Sequence, residues 1–150
     1  MQPIKHFYNG PGETPSLDLV LRNDLADLGR LHRGVEDFAA THKLPSSIAH
    51  AVDLSLTELV TNIISYAYED TRSHEVLVRL QCDSGLVQIR VEDDGRPFDP
   101  IKHPVPDTAA PLDQRPVGGL GIHLIRKMMA DLEYQRTAGR NVFIMRTRLA

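Results

Sequence analysis

The chain has one cysteine, Cys82, so no internal disulfide can staple it and no cysteine cluster can hold a metal. Cys82 falls within an apolar–polar alternation, where a buried core thiol is the plain expectation. Charge of one sign is also missing. Lys and Arg number 17 against 20 Asp and Glu, a net of −3, and this removes the electrostatic footprint of a nucleic-acid or membrane-surface binder. Arg136, Arg140, Arg146 and Arg148 gather near the C-terminus and read as a solvated strand face. No apolar run approaches the length of a membrane span, and Met1 to Gly10 lacks the basic-then-apolar layout of a signal peptide. A cytoplasmic location is therefore expected. Of the seven histidines, none pairs with another at metal-ligand spacing on one predicted element, which argues against zinc. No serine stands in a G-x-S-x-G context, so a Ser–His–acid hydrolase has no support.

What is present is an ordinary globular composition, 41% hydrophobic and 25% charged over 150 residues, which predicts a single compact domain. Ser16 to Leu21 alternates as a strand. Asn23 can cap a helix whose Leu25, Leu28, Leu31, Val35 and Phe38 recur at helical spacing up to about His42. After Leu44-Pro45, Ser46 or Ser47 can cap a second helix. Its apolar stripe is Ile48, Val52, Leu56, Leu59, Ile63 and Ala67, and it ends near Glu69. Glu75 to Cys82 and Leu86 to Glu92, joined at Asp83-Ser84-Gly85, predict an antiparallel hairpin. Six of the ten prolines then fall between Pro97 and Pro116, a density no regular element survives, so a long loop is expected there. Val117-Gly118-Gly119-Leu120-Gly121 opens a third helix, and Leu132 to Thr137 and Asn141 to Arg148 form two closing strands. Hairpins without strand–helix alternation argue for an α+β fold, with an antiparallel or mixed sheet and helices on one face.

Three motifs carry chemistry. Glu58 and Asn62 lie four apart on the second helix and project from one face. The carboxylate suits a general base, and the carboxamide oxygen suits Mg²⁺; a solvated polar pair has the same spacing. Asp93-Asp94-Gly95 leaves a strand end-on. Asp93 can offer an acceptor to a base amino group, and Gly95 lets backbone or ligand come close; acidic turns look alike. Gly119-Leu120-Gly121 at a helix start provides free N–H groups and a dipole suited to phosphate, although glycine at such junctions also has steric reasons.

In this order, the E-x-x-x-N helix, the D-x-G turn, the long loop and the G-x-G helix resemble the Bergerat-type ATP-binding domain of gyrase-type, Hsp90-type, histidine-kinase and MutL-type ATPases, over about residues 16–148. Phe98-Asp99-Pro100, Ala67-Tyr68 and the run from Gly118 to Met129 are similar to the serine-protein kinases that double as anti-sigma factors. The resemblance implies a two-layer sandwich with a mixed, mostly antiparallel sheet. It implies Glu58 as catalytic base and Asn62 as Mg²⁺ ligand, with Asp93 reading adenine and Gly95 clearing the base. Gly119, Leu120 and Gly121 would then lie by the phosphates, Arg115 would be a lid contact, and residues of about 100–118 would be the ATP lid. Pro97 replaces the second glycine of the usual D-x-G-x-G, and Tyr66 stands where histidine is common. A STAS-type antagonist as substrate, a sigma factor as target and a homodimer follow from the same resemblance. A histidine kinase would carry a phosphoacceptor hairpin before this domain, and gyrase- and MutL-type ATPases a second domain; the 150 residues show neither. That leaves a stand-alone serine kinase or a nucleotide-gated binding module without kinase activity.

Overall fold

The computed structural model describes residues 5–7, 16–98 and 119–149. Arg115 and the whole of the expected lid, residues 100–118, lie outside them. Strands β1 (Lys5–Phe7) and β2 (Ser16–Arg22) precede a short 3₁₀ turn, Leu25–Asp27, and helices α1 (Leu28–Thr41) and α2 (Ser46–Tyr66). Strands β3 (Glu75–Asp83) and β4 (Leu86–Asp93), helix α3 (Gly119–Met128) and strands β5 (Asp131–Thr137) and β6 (Arg140–Arg148) complete the order.

The six strands form one sheet in the order β1-β2-β3-β4-β6-β5. Every pairing among the described residues is antiparallel, so the sheet is not mixed as the resemblance implied. Strand β1, three residues pairing Lys5 to Phe7 with Asp18 to Ser16, is too short to leave a periodicity in the sequence. The hairpins β3–β4 and β5–β6 both turn through two residues of positive φ, Ser84-Gly85 and Ala138-Gly139, the backbone hand that matches strand twist.

Alternation assigns the inner face. Leu17, Leu19, Leu21, Val76, Val78, Leu80, Val87, Ile89, Val91, Phe143 and Met145 are buried in one cluster with α1, α2 and α3 residues such as Leu31, Phe38, Leu56, Leu59 and Ile125. Each fully buried aliphatic side chain contributes about 1.5–3 kcal/mol. The outer face carries ion pairs such as Arg79–Asp18 and Arg90–Glu92, worth about 0–1 kcal/mol each when solvated. Core burial, not charge pairing, therefore holds the helices to the sheet.

Several local expectations change. Asn23 does not cap α1; it pairs with the backbone of His74 on the neighbouring strand's approach, and Asp24 caps the 3₁₀ turn through Ala26 N. Leu25, placed in that turn, is exposed rather than part of the apolar stripe. Helix α2 starts after Pro45 with no side-chain cap and ends at Tyr66, three residues early, because the chain turns there to meet the end of β4. Cys82 is half-buried at the core margin, and desolvation raises its thiol pKa. No helix of the described residues is long and apolar enough to cross a membrane.

Candidate functional site

Helix α2 is the floor of the site. Its inward residues Leu56, Leu59 and Ile63 seat it on the sheet, and the same phase leaves Glu58 and Asn62 on the flank facing α3. Gly121, in the first turn of α3, packs against both. A Cβ at position 121 would stand 2.9 Å from Glu58 Oε2 and 3.2 Å from Asn62 Nδ2. The G-x-G and E-x-x-x-N motifs, far apart in sequence, are thus in van der Waals contact. Asn62 Nδ2 is buried and has no partner among the described residues.

The end of β4 is anchored from two sides. Arg96 N donates to Ala67 O at 2.9 Å, tying the D-x-G turn to the end of α2. Gly95 is pressed so closely there that a Cβ would lie 2.6 Å from Ala67 Cβ and 2.7 Å from Ala67 O. What the missing side chain clears in this structure is the helix terminus. From the other side come β6 and β5. Asp93 lies directly opposite Asn141, and Asn141 directly opposite Arg136.

Asp93 is fully buried. Its Oδ1 accepts from Gly95 N at 2.8 Å and from Asn141 Nδ2 at 2.9 Å, while its Oδ2 is buried with no partner. Burial raises the Asp93 carboxyl pKa above the usual carboxylate value, against the opposing pull of the Asn141 and Gly95 hydrogen bonds. An orphaned acceptor of this kind costs free energy unless something donates to it.

Between the two anchors lies a cavity of about 220 Å³. Leu59, Ile63, Ala67, Pro97, Phe98 and Phe143 supply apolar walls, and Asn62, Asp93, Arg96 and Asn141 supply the polar groups, with half-exposed Tyr66 at the rim. An apolar slot with one buried, unpartnered carboxylate oxygen suits a flat heterocycle that carries an exocyclic amino group.

The histidine kinase-like ATPase domain model matches residues 21–147. The chain belongs to that family. Among curated relatives, a serine/threonine-protein kinase of Bordetella bronchiseptica, BtrW, is 28% identical over 71% of this chain and 75% of its own length. The serine-protein kinase RsbW of Bacillus pumilus is 33% identical over 57% of each chain, and that of Listeria monocytogenes is 24% identical over 85% of this chain and 82% of its own. A crystal structure of the RsbU and RsbW domains of a Mycobacterium tuberculosis protein superposes with a TM-score of 0.63 at 17% identity. It covers 91% of this chain, which spans about 33% of that longer one. At that identity it supports the histidine kinase-like fold alone.

Of the residues singled out from sequence, Asn62 and Asp93 line one cavity, and Glu58 stands beside Gly121 one helical turn away. Gly119 and Leu120 open α3, and Arg115 lies outside the described residues. Sequence reasoning missed Asn141, Tyr134 and Arg136. Arg136 is not simply part of a solvated face: its guanidinium donates to Gly95 O at 2.7 Å and to Asn141 Oδ1 at 3.1 Å. The available signal was Asn141 itself, a carboxamide at an inward position of β6 where Phe143 and Met145 follow. Nothing in the sequence says that β6 rather than another strand lies beside β4.

Proposed function

We propose that the chain is an ATP-dependent protein serine kinase and anti-sigma regulatory factor. It would phosphorylate a STAS-type antagonist and sequester a sigma factor, acting as a homodimer with this single domain as its ATP-binding unit. The observation that carries the nucleotide reading is the unpartnered Asp93 Oδ2 in an apolar-walled cavity shared with Asn62. The kinase reading rests on Glu58 beside Gly121 and on relatives named serine-protein kinases.

In this mechanism Asp93 Oδ2 accepts from the adenine amino group, and the apolar walls cover the base. Gly121 and its helix N-terminus lie toward the phosphates, where N–H groups and the dipole favour negative charge. The donor set fits one protein ligand to Mg²⁺: Asn62 would hold it through its carboxamide oxygen, and the ion would offset phosphate charge, its other ligands being phosphate oxygens and water. Glu58 accepts the proton from a protein serine hydroxyl as that oxygen bonds to the γ-phosphorus and ADP departs. Positioning and electrostatics supply most of the rate.

The test has two readouts. Mg-ATP should raise the melting temperature, by about 2.7 kcal/mol of stabilisation at 100 times its Kd; no shift at saturating nucleotide would overturn the site. Labelled ATP and the STAS-type protein encoded nearest should yield label on serine or threonine. Glu58→Gln should keep the thermal shift and transfer about 10² to 10⁴ times more slowly. Transfer by Glu58→Gln at the wild-type rate refutes the assigned base. ATP-dependent binding of the partner without any transfer by wild type would mean a nucleotide-gated binder.

A further inference from the structure

The polar atoms around Asp93 form a directed chain. Arg136 can only donate, so the Asn141 atom it meets at 3.1 Å is the carboxamide oxygen. The Tyr134 hydroxyl also donates to that oxygen and accepts from Phe98 N at 3.3 Å. With Oδ1 held on the β5 side, Asn141 Nδ2 has to point at Asp93 Oδ1, and it also donates to Arg96 O at 2.8 Å. A flipped amide would set a nitrogen against Arg136 and an oxygen against the carboxylate. Asn141 is 1% exposed and part of the cavity lining, so no water competes freely for these contacts.

We propose that Asn141, held in one orientation by Tyr134 and Arg136 of the edge strand β5, is the positioning and specificity-determining residue of the base site. It occupies one oxygen of Asp93, leaves the other as a bare acceptor to the cavity, and thereby selects a 6-aminopurine over a 6-oxopurine. This rests on the nucleotide reading above. Two donors on Oδ1 fix the carboxylate rotamer, so the oxygen that meets the ligand has no proton to offer a carbonyl while Asp93 is ionised. The groups facing Asp93 with charge or a titrating proton are Asp94 beside it, Arg136 from β5 and Tyr68 just past α2. Burial already works against its ionisation, and Asn141 is the strongest of the influences opposing that. Losing the Asn141 donor makes the carboxyl protonate at higher pH.

Calorimetric titration of the full chain with ATP and with inosine triphosphate, which carries a carbonyl at C6, tests this. Wild type should prefer ATP and lose it as acid protonates Asp93. Asn141→Ser should weaken ATP about 10- to 100-fold, the worth of a hydrogen bond to a charged group, with inosine triphosphate nearly unchanged. The acid midpoint of ATP binding should move to higher pH, a displacement that a merely structural role would not cause. Tyr134→Phe keeps the carboxamide and removes one donor that orients it, so both effects should recur at smaller size; it carries the test if Asn141→Ser fails to fold. If both variants keep the wild-type ATP preference and acid midpoint, Asn141 does not position the base reader, while the ATP site stands. Equal wild-type affinity for the two nucleotides overturns the specificity, and no binding of either overturns the nucleotide reading with it.

Discussion

Gly95→Ala separates two reasons for a glycine two residues after Asp93. If the residue only makes room for a base, alanine should impair nucleotide binding and leave the free protein as stable as before. In this structure a Cβ at 95 would sit 2.6 Å from Ala67 Cβ, 2.7 Å from Ala67 O and 2.9 Å from Asp93 Oδ1. Two of these neighbours cannot rotate away: one is backbone, and the other is a methyl on the residue that terminates α2. Relief requires the D-x-G turn to lift off the helix end, which strains the Arg96 N to Ala67 O hydrogen bond of 2.9 Å. Overpacking of this kind costs about 1–3 kcal/mol. For a chain of this length each kcal/mol moves the midpoint by about 2–4 °C, so the nucleotide-free protein should melt about 2–12 °C lower. Thermal unfolding followed by circular dichroism, without nucleotide, measures it. Adding Ala67→Gly should restore part of the loss, since it removes the methyl but not the carbonyl. A nucleotide-free melting temperature indistinguishable from wild type would refute the packing argument and return Gly95 to the base.

Asp93→Asn should abolish the ATP-induced thermal shift, because with its oxygen kept on the Gly95 and Asn141 donors the new amide presents N–H to the adenine amino group. The same variant should melt higher than wild type at neutral pH. Burial raises the Asp93 carboxyl pKa above its ordinary 3.8, so ionising it costs the fold stability that is intact below that value and declines as pH rises through the raised one; a lower melting temperature counts against this. His74 lies between Asp70, 2.7 Å from Nε2, and Asp94, 3.2 Å from Nδ1, and stacks on Tyr68. The hydrogen bond to Asp70 raises its pKa above 6.5, so its contribution is complete below 6.5 and disappears as pH rises through the raised value. Melting temperature should therefore fall across that range in wild type and less steeply in His74→Gln, with His32→Gln as control because Asp53 raises His32 as well; equal slopes in wild type and His74→Gln would disprove the clasp.

Strands β2 to β6, the three helices and the places of Glu58, Asn62, Asp93 and Gly121 on them were legible because each rests on local rules: period-two alternation, the helical repeat, glycine at a helix start. The helix ends were not. Whether α2 stops at Tyr66 or Glu69 depends on Ala67 O meeting Arg96 N, a contact between positions 29 apart. Arg136 shows the same limit from the other side. An arginine on a strand near the C-terminus reads as solvated, and only its place opposite Asn141, itself opposite Asp93, turns it into a support for the site.

The order of the motifs along the chain thus identified the family and the residue types that can bind a nucleotide, since those follow from side-chain chemistry and local backbone preference. Which oxygen of Asp93 is left without a partner, and that Asn141, Tyr134 and Arg136 belong to the site at all, were decided by strand order, and what Gly95 makes room for by the end of α2 packed against it. The pairing of β4 with β6 is a long-range choice, favoured by burial of Phe143, Met145 and Val91 in the shared core, and no local pattern encodes which strand will be that neighbour.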